Sequence, residues 1–299
     1  MRDGPGGEIE QLEHAQIGTR LGEGLRESGS LGAAAMERTL AAVETFVARV
    51  RAHDAELSSI ATSAMRRAHN AAEFSGRMRE TTGTLLQVLD GSAEAQASFI
   101  GATYGVPHDG KRTAVVDVGG GSTEVAVGRD GCLERAHSIE IGSVRISERF
   151  GDLMGSAPGP HAHAAALAAR AAIDTEIATF GAFGPVDRVR AVAGTATTIA
   201  AVASASDVDR VSGTVLAVAT LEATIDRLLD LSLEERRALP GMLPQRADIL
   251  AGGALVLAQT LDRLGAGEAL IETNDLLLGY LITRSVFARD AGTIDPPDE

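Results

Sequence analysis

Apolar residues recur along this chain at two spacings, and the alternation between them sets out the elements. Met36, Leu40, Val43, Phe46 and Val47 fall three or four residues apart, which places one apolar stripe on a long helix. Asn70–Arg79 and Glu94–Ala102 repeat the helical spacing, while Leu57–Thr62 and Leu85–Leu89 read as short strands. A further strand is expected over Glu8–Gly18. From Thr113 the run Thr-Ala-Val-Val-Asp-Val suits a buried strand, Val125–Val127 a second, and Cys132–Ile139 a third, antiparallel one. Helical stretches over His163–Phe180, Val218–Leu231 and Arg246–Leu264 then alternate with strands at Val189–Val192 and Ala269–Ile271. Strands alternating with helices predict α/β layers.

Pro107-His108-Asp109-Gly110 punctuates this pattern and divides residues 1–108 from 109–299. At 299 residues the chain is long enough for two domains with a core each. No apolar run reaches the ~18–20 residues of a membrane span, and the first residues carry no signal-peptide apolar stretch, so a cytoplasmic protein is expected. The single cysteine, Cys132, excludes an internal disulfide framework and a cysteine-based zinc site. A net charge of −14 disfavours nucleic acid as a partner, yet leaves room for an anionic small substrate held locally. Asp295–Glu299 reads as a frayed tail.

The strongest chemical signal is Asp117-Val118-Gly119-Gly120-Gly121-Ser122-Thr123-Glu124, between two expected strands. Consecutive glycines open backbone conformations closed to other residues and clear side chains from a ligand's path. The N–H groups of Gly119, Gly120 and Gly121 can converge on phosphate oxygens, and Ser122 and Thr123 add hydroxyl donors. Asp117 and Glu124 supply carboxylate oxygens of the kind Mg²⁺ accepts. A tight hairpin turn is the plainer reading, but it needs fewer glycines. Gly194-Thr195-Ala196-Thr197-Thr198 forms a second such loop, following an apolar run and opening a helix whose N-terminus favours an anion. Taken alone, Thr195 or Thr197 reads as a helix cap. Gly105–Arg112 nearly spells a P-loop, but Arg112 replaces the metal-binding hydroxyl and the segment precedes a strand, so it reads as a linker. His161 and His163 lack a third metal ligand.

These pieces, in order, resemble the exopolyphosphatase/guanosine-pentaphosphate phosphatase family of the actin-like ATPase superfamily. The resemblance covers roughly Gln16 to Leu281. It rests on Thr19–Gly24, Ala61–Arg66, Asp90–Gln96, Asp117–Glu124, Glu140–Arg145, Gly194–Thr198, Leu239–Met242 and Arg246–Ile249. It implies two ribonuclease-H-like α/β domains with the active site in the cleft between them. The implied activity is metal-dependent hydrolysis of terminal phosphates from inorganic polyphosphate or guanosine pentaphosphate, with Mg²⁺ as cofactor. A homodimer is one implied assembly.

Glu94 falls on the family's water-activating glutamate, although Asp90, Ala93 and Gln96 depart from that motif. On its own residues Glu94 would read as a solvated first-turn glutamate. Arg66 matches a family arginine and is implied as a phosphate clamp. Arg145 is a weaker match that could simply brace the domain. Leu277 stands where the family commonly has an arginine.

The superfamily's opening hairpin, with its first phosphate loop, has no match in residues 1–18, and Glu8–Gly18 resembles the strand that would follow it. Two explanations stand: a start assigned downstream of the true one, or a degenerate paralogue. A phosphotransferase and a non-catalytic polyphosphate or guanosine-tetraphosphate binding module are the alternative functions.

Overall fold

The computed structural model describes residues 2–3 and 9–291; the acidic tail at 295–299 lies outside them. The two-residue strands β1 (Arg2–Asp3) and β2 (Ile9–Glu10) pair antiparallel. The strand expected over Glu8–Gly18 forms only at Ile9–Glu10, and residues 11–20 run without regular structure. A strand needs a neighbour for its N–H and C=O groups, and none lies beside residues 11–18 among the described residues. Side chains hold this segment instead. Arg49 donates to Glu13 at 2.8 Å, and Arg20 grips Asp248 with both terminal nitrogens at 2.6 and 2.5 Å.

Helices α1 (Leu25–Ser28) and α2 (Ala33–Ala52) follow. The expected stripe on α2 turns inward, with Met36, Leu40 and Val47 buried and Val43 and Phe46 half-buried. Strand β3 (Ser59–Ala61) leads into α3 (Ser63–Arg67) and α4 (Ala71–Thr82), and then β4 (Leu86–Val88). β3 and β4 pair parallel as a sheet of two strands. The core of this half is small: Leu25, Leu31, Met36, Leu40, Met65, Phe74 and Met78. Helix α5 (Gly91–Thr103) starts earlier than expected because Asp90 caps it, accepting from Ala93 N–H at 2.8 Å.

The second half is built on β5 (Arg112–Val118), β6 (Thr123–Arg129) and β7 (Cys132–Ile139), an antiparallel meander. Helices α6 (Ser143–Arg149) and α7 (Pro160–Ile177) precede β8 (Arg188–Val192), which lies parallel to β5. Next come α8 (Ala193–Ser204), β9 (Val215–Ala217), α9 (Val218–Asp230), α10 (Leu233–Arg237) and α11 (Leu250–Arg263). β10 (Glu268–Ile271) pairs parallel with β8, and α12 (Leu276–Ala291) follows. The sheet order is β7-β6-β5-β8-β10-β9. Its first five strands have the ribonuclease-H-like arrangement, three antiparallel and then two parallel. β5 is buried along nearly its whole length, which explains its continuous apolar run.

Two packing features position the site. Ala95, Phe99 and Ala102 of α5 pack on Val115, Ala126 and Val192 of the six-stranded sheet, so α5 spans from the first half to the second. α12 then lies so close to α5 that a Cβ on Gly279 would sit 1.8 Å from the Ala97 carbonyl oxygen. A Cβ on Gly101 would sit 2.0 Å from that of Asp275. Glycine is required at both positions for this approach.

Candidate active site

The antiparallel register of β5 and β6 sets Asp117 directly opposite Glu124. Like charges so placed oppose pairing unless something neutralises them. Both are buried, at 6% and 1% exposure. Ser98 donates to Asp117 Oδ2 at 2.7 Å, and Ser138, the cross-strand neighbour of Glu124, donates to its Oε1 at 2.7 Å. Glu124 Oε2 is buried without a partner. Burial, with the charges of Asp275 and Glu94, pushes Asp117 up to about 7 against the opposing Ser98 hydrogen bond and Arg246. Burial and the charges of Glu94 and Asp117 raise Glu124 well above the usual carboxylate range.

Glu94 is brought to the same place from α5, one helical turn before Ser98. It is not solvated: 6% of it is exposed, and Arg66 of α3 donates to its Oε2 at 2.6 Å. Burial raises its pKa, opposed by Arg66 and by a hydrogen bond from Thr62. Arg66 is thus already engaged, donating also to the Leu89 carbonyl at 2.9 Å and to Glu140 Oε1 at 3.2 Å. The implied phosphate clamp is also the partner of the implied base.

The glycine loop is built differently from expectation. None of Gly119, Gly120 and Gly121 takes a left-handed φ. The absent side chains serve close approach instead: a Cβ on Gly121 would sit 2.8 Å from Ser63 Oγ. Gly119 N–H closes the turn onto the Ser122 carbonyl at 3.0 Å, so it is not free for a ligand. The Gly119 and Gly120 carbonyls accept the first N–H groups of α6. This leaves the N–H groups of Gly120 and Gly121 without a protein acceptor among the described residues. The Thr123 hydroxyl is also no phosphate donor. It is fully buried and donates to the Ile141 carbonyl at 2.6 Å, bracing the loop from within. The Ser122 hydroxyl is a small influence holding the Glu124 pKa down against its burial.

Gly194 and Thr195 open α8, whose first turn has no side-chain cap. The cap reading of the threonines therefore fails. Thr197 donates back to the Ala193 carbonyl at 3.2 Å, and Thr195 Oγ1 is buried with no partner. Against Gly194 lies Arg246, the first residue of the Arg246–Ile249 segment, to which the sequence reading assigns no site role; a Cβ on Gly194 would sit 2.0 Å from its Nη2. Its guanidinium makes no hydrogen bond or ion pair among the described residues. Burial lowers its pKa while the charge of Asp117 opposes that, so the second loop faces the same cleft as the first. Beside it opens a cavity of about 310 Å³ lined by His14, Gln16, Gly194, Thr197, Gln245 and Asp275, with Leu277 also on its wall.

Arg145 donates to the carbonyls of Glu140 and Gly121 and to the Glu140 carboxylate, so in this structure it is engaged within the protein. His163 pairs with Asp230 at 2.9 Å, away from any metal cluster. Among the described residues no three His, Cys, Asp or Glu side chains form a ready-made metal site. The Asp117–Glu124 pair, with one orphaned oxygen and two raised pKa values, nevertheless fits a hard dication that takes its remaining ligands from water and phosphate.

A ribonuclease-H-like sheet carrying paired acids, glycine-rich turns and free N–H groups at a cleft defines an α/β phosphate-handling protein. The description of the Ppx/GppA phosphatase family matches residues 2–274, and the chain belongs to that family. It is 30% identical to exopolyphosphatase 2 of Mycobacterium tuberculosis, over 93% of this chain and 90% of that one. Among solved structures, an exopolyphosphatase-like protein superposes with a TM-score of 0.82 at 29% identity, covering 90% of each chain. The Aquifex aeolicus member of the Ppx/GppA family superposes with a TM-score of 0.73 at 25% identity, covering 90% of this chain and 87% of that one.

Proposed function

We propose that the chain is an exopolyphosphatase that hydrolyses the terminal phosphoanhydride bond of inorganic polyphosphate. The observation that carries this reading is the placement of Glu94, buried on Arg66 and electrostatically coupled to Asp117 and Glu124. A Glu94 oxygen free of Arg66 takes a proton from water as that water attacks the terminal phosphorus. The P–O bond to the shortened chain breaks, and its oxygen leaves with the bonding pair. Gly120 and Gly121 N–H groups, the open first turn of α8 and Arg246 hold the phosphoryl oxygens in place. Asp117 and Glu124 would hold Mg²⁺, which when bound supplies charge neutralisation on those oxygens.

The cavity beside Gly194 favours guanosine pentaphosphate as a second substrate, because its amide and apolar walls suit an uncharged base. Incubation with polyphosphate and Mg²⁺, with and without ATP or ADP, tests the assignment. Phosphate release alone supports it. ADP or ATP turnover would make the protein a transferase, and binding without release would make it a sensor.

A further inference from the structure

Glu140, just beyond β7, is surrounded by more positive charge than one carboxylate needs. Ser63 Oγ and Arg145 Nη1 donate to its Oε2 at 2.8 and 3.2 Å, and Arg66 Nη2 to its Oε1 at 3.2 Å. Arg67 Nε lies 3.8 Å from Oε2 and makes no other ion pair among the described residues. Arg66 is shared with Glu94, so within ion-pair distance three guanidinium groups meet two carboxylates, with Glu176 acting on Arg145 from farther off. Burial and the charge of Arg67 lower the Arg145 pKa against the opposing Glu140 and Glu176. The Glu140 side chain is 42% exposed, so solvent reaches this group. An exposed ion pair stabilises a fold little, and one arginine would have balanced this glutamate. Three guanidinium forks and a hydroxyl around one oxyanion are instead the donor set that grips phosphate.

The place fits a chain-shaped anion. One Arg66 nitrogen is on Glu94 and the other on Glu140, so the cluster adjoins the proposed base with a single guanidinium between. The cavity beside Gly194 carries Asp209 and Asp275, which would repel a bare phosphate chain. We propose that Ser63, Arg66, Arg67 and Arg145 form a second phosphate subsite, in which Glu140 stands in for a phosphate until the next unit of a bound chain displaces it. This rests on the polyphosphate reading above. It gives Glu140 a role in specificity, since a polyanion can displace the carboxylate at little electrostatic cost.

The test is calorimetric titration of inorganic tripolyphosphate into the full chain without divalent metal. Glu140→Gln removes the competing charge and should tighten binding about tenfold, whereas Arg67→Gln should weaken it by about the same factor. Arg67 has no other ion pair to lose, so this variant is expected to melt like the parent. Weaker binding by Glu140→Gln would mean that Glu140 merely braces the arginines, and would overturn the subsite. Parental binding by both variants would overturn it equally. Failure of the parent chain to bind tripolyphosphate would overturn the polyphosphate reading as well.

Discussion

The two halves of the molecule hold their functional carboxylates by different means. In the second half, Asp117 and Glu124 are fixed by strand register in a six-stranded sheet, each oriented by a serine hydroxyl. In the first half each sheet has two strands, and Glu94 is held by an arginine from a five-residue helix. Electrostatics separate the halves further. All three acids are raised by burial, but Asp117 and Glu124 are raised further by neighbouring carboxylates, while Glu94 has a countercharge in contact. Under the proposed function this would be a division of labour: the half with the six-stranded sheet would carry the acids that hold a cation, and the other half the group that takes a proton from water. Helix α5 joins them, bearing Glu94 at its first turn and packing on the sheet through Phe99.

Glu124→Gln and Asp117→Asn should each lower phosphate release by about 100-fold or more, since cation neutralisation of phosphate charge is worth several kcal/mol. Steady-state assays across Mg²⁺ concentration check this. Near-parental rates in both would remove the half with the six-stranded sheet from the chemistry.

Gly279→Ala attacks the junction. Its new Cβ would meet the Ala97 carbonyl oxygen on α5, so α12 must move away. Urea denaturation should show a loss of roughly 2–3 kcal/mol. Unchanged stability would mean that the α5–α12 contact does not hold the halves together.

A smaller effect comes from the buried charge of Asp117. Its pKa rises from 3.8 to about 7 on folding, so the folded chain binds this proton more tightly than the unfolded chain. Stability from this group is therefore full below the unfolded value and lost as pH rises towards the folded one. Without metal, Asp117→Asn should melt several degrees above the parent near pH ~8, with the gain vanishing towards pH ~4. Thermal scans at the two pH values decide it; equal melting at the higher pH would mean the carboxylate is already compensated.

Much of the fold was legible because its signals are local. The Val115–Val118 run, the α2 stripe and the β5–β6–β7 meander all follow from apolar spacing and turn residues. The Glu8–Gly18 strand was not, because a strand exists only with a partner, and pairing is a long-range property. At the site, residue types located the two loops but misassigned their donors. Thr123 and Thr195 look alike in sequence, yet one hydroxyl is spent on Ile141 and the other is left without a partner. Of the two uses the sequence suggests for the glycines, special backbone conformation and cleared space, the first is not taken, and the second is needed most at Gly121, against Ser63. Ser98 could have been found, four residues after Glu94 on one helix face. Arg246 lies in a segment that the resemblance marks, but its role could not be read, since its direction is set by how the Pro244–Arg246 turn packs against Gly194.

The central claim is that Glu94 takes the proton from the attacking water. Its most direct test is Glu94→Gln, assayed for phosphate release from polyphosphate with Mg²⁺ and, in parallel, for tripolyphosphate binding. Release should fall by about 10²–10⁴-fold while tripolyphosphate binds at least as tightly as to the parent, since the substitution also frees Arg66 of a competing charge. Turnover near the parental rate would contradict the assignment.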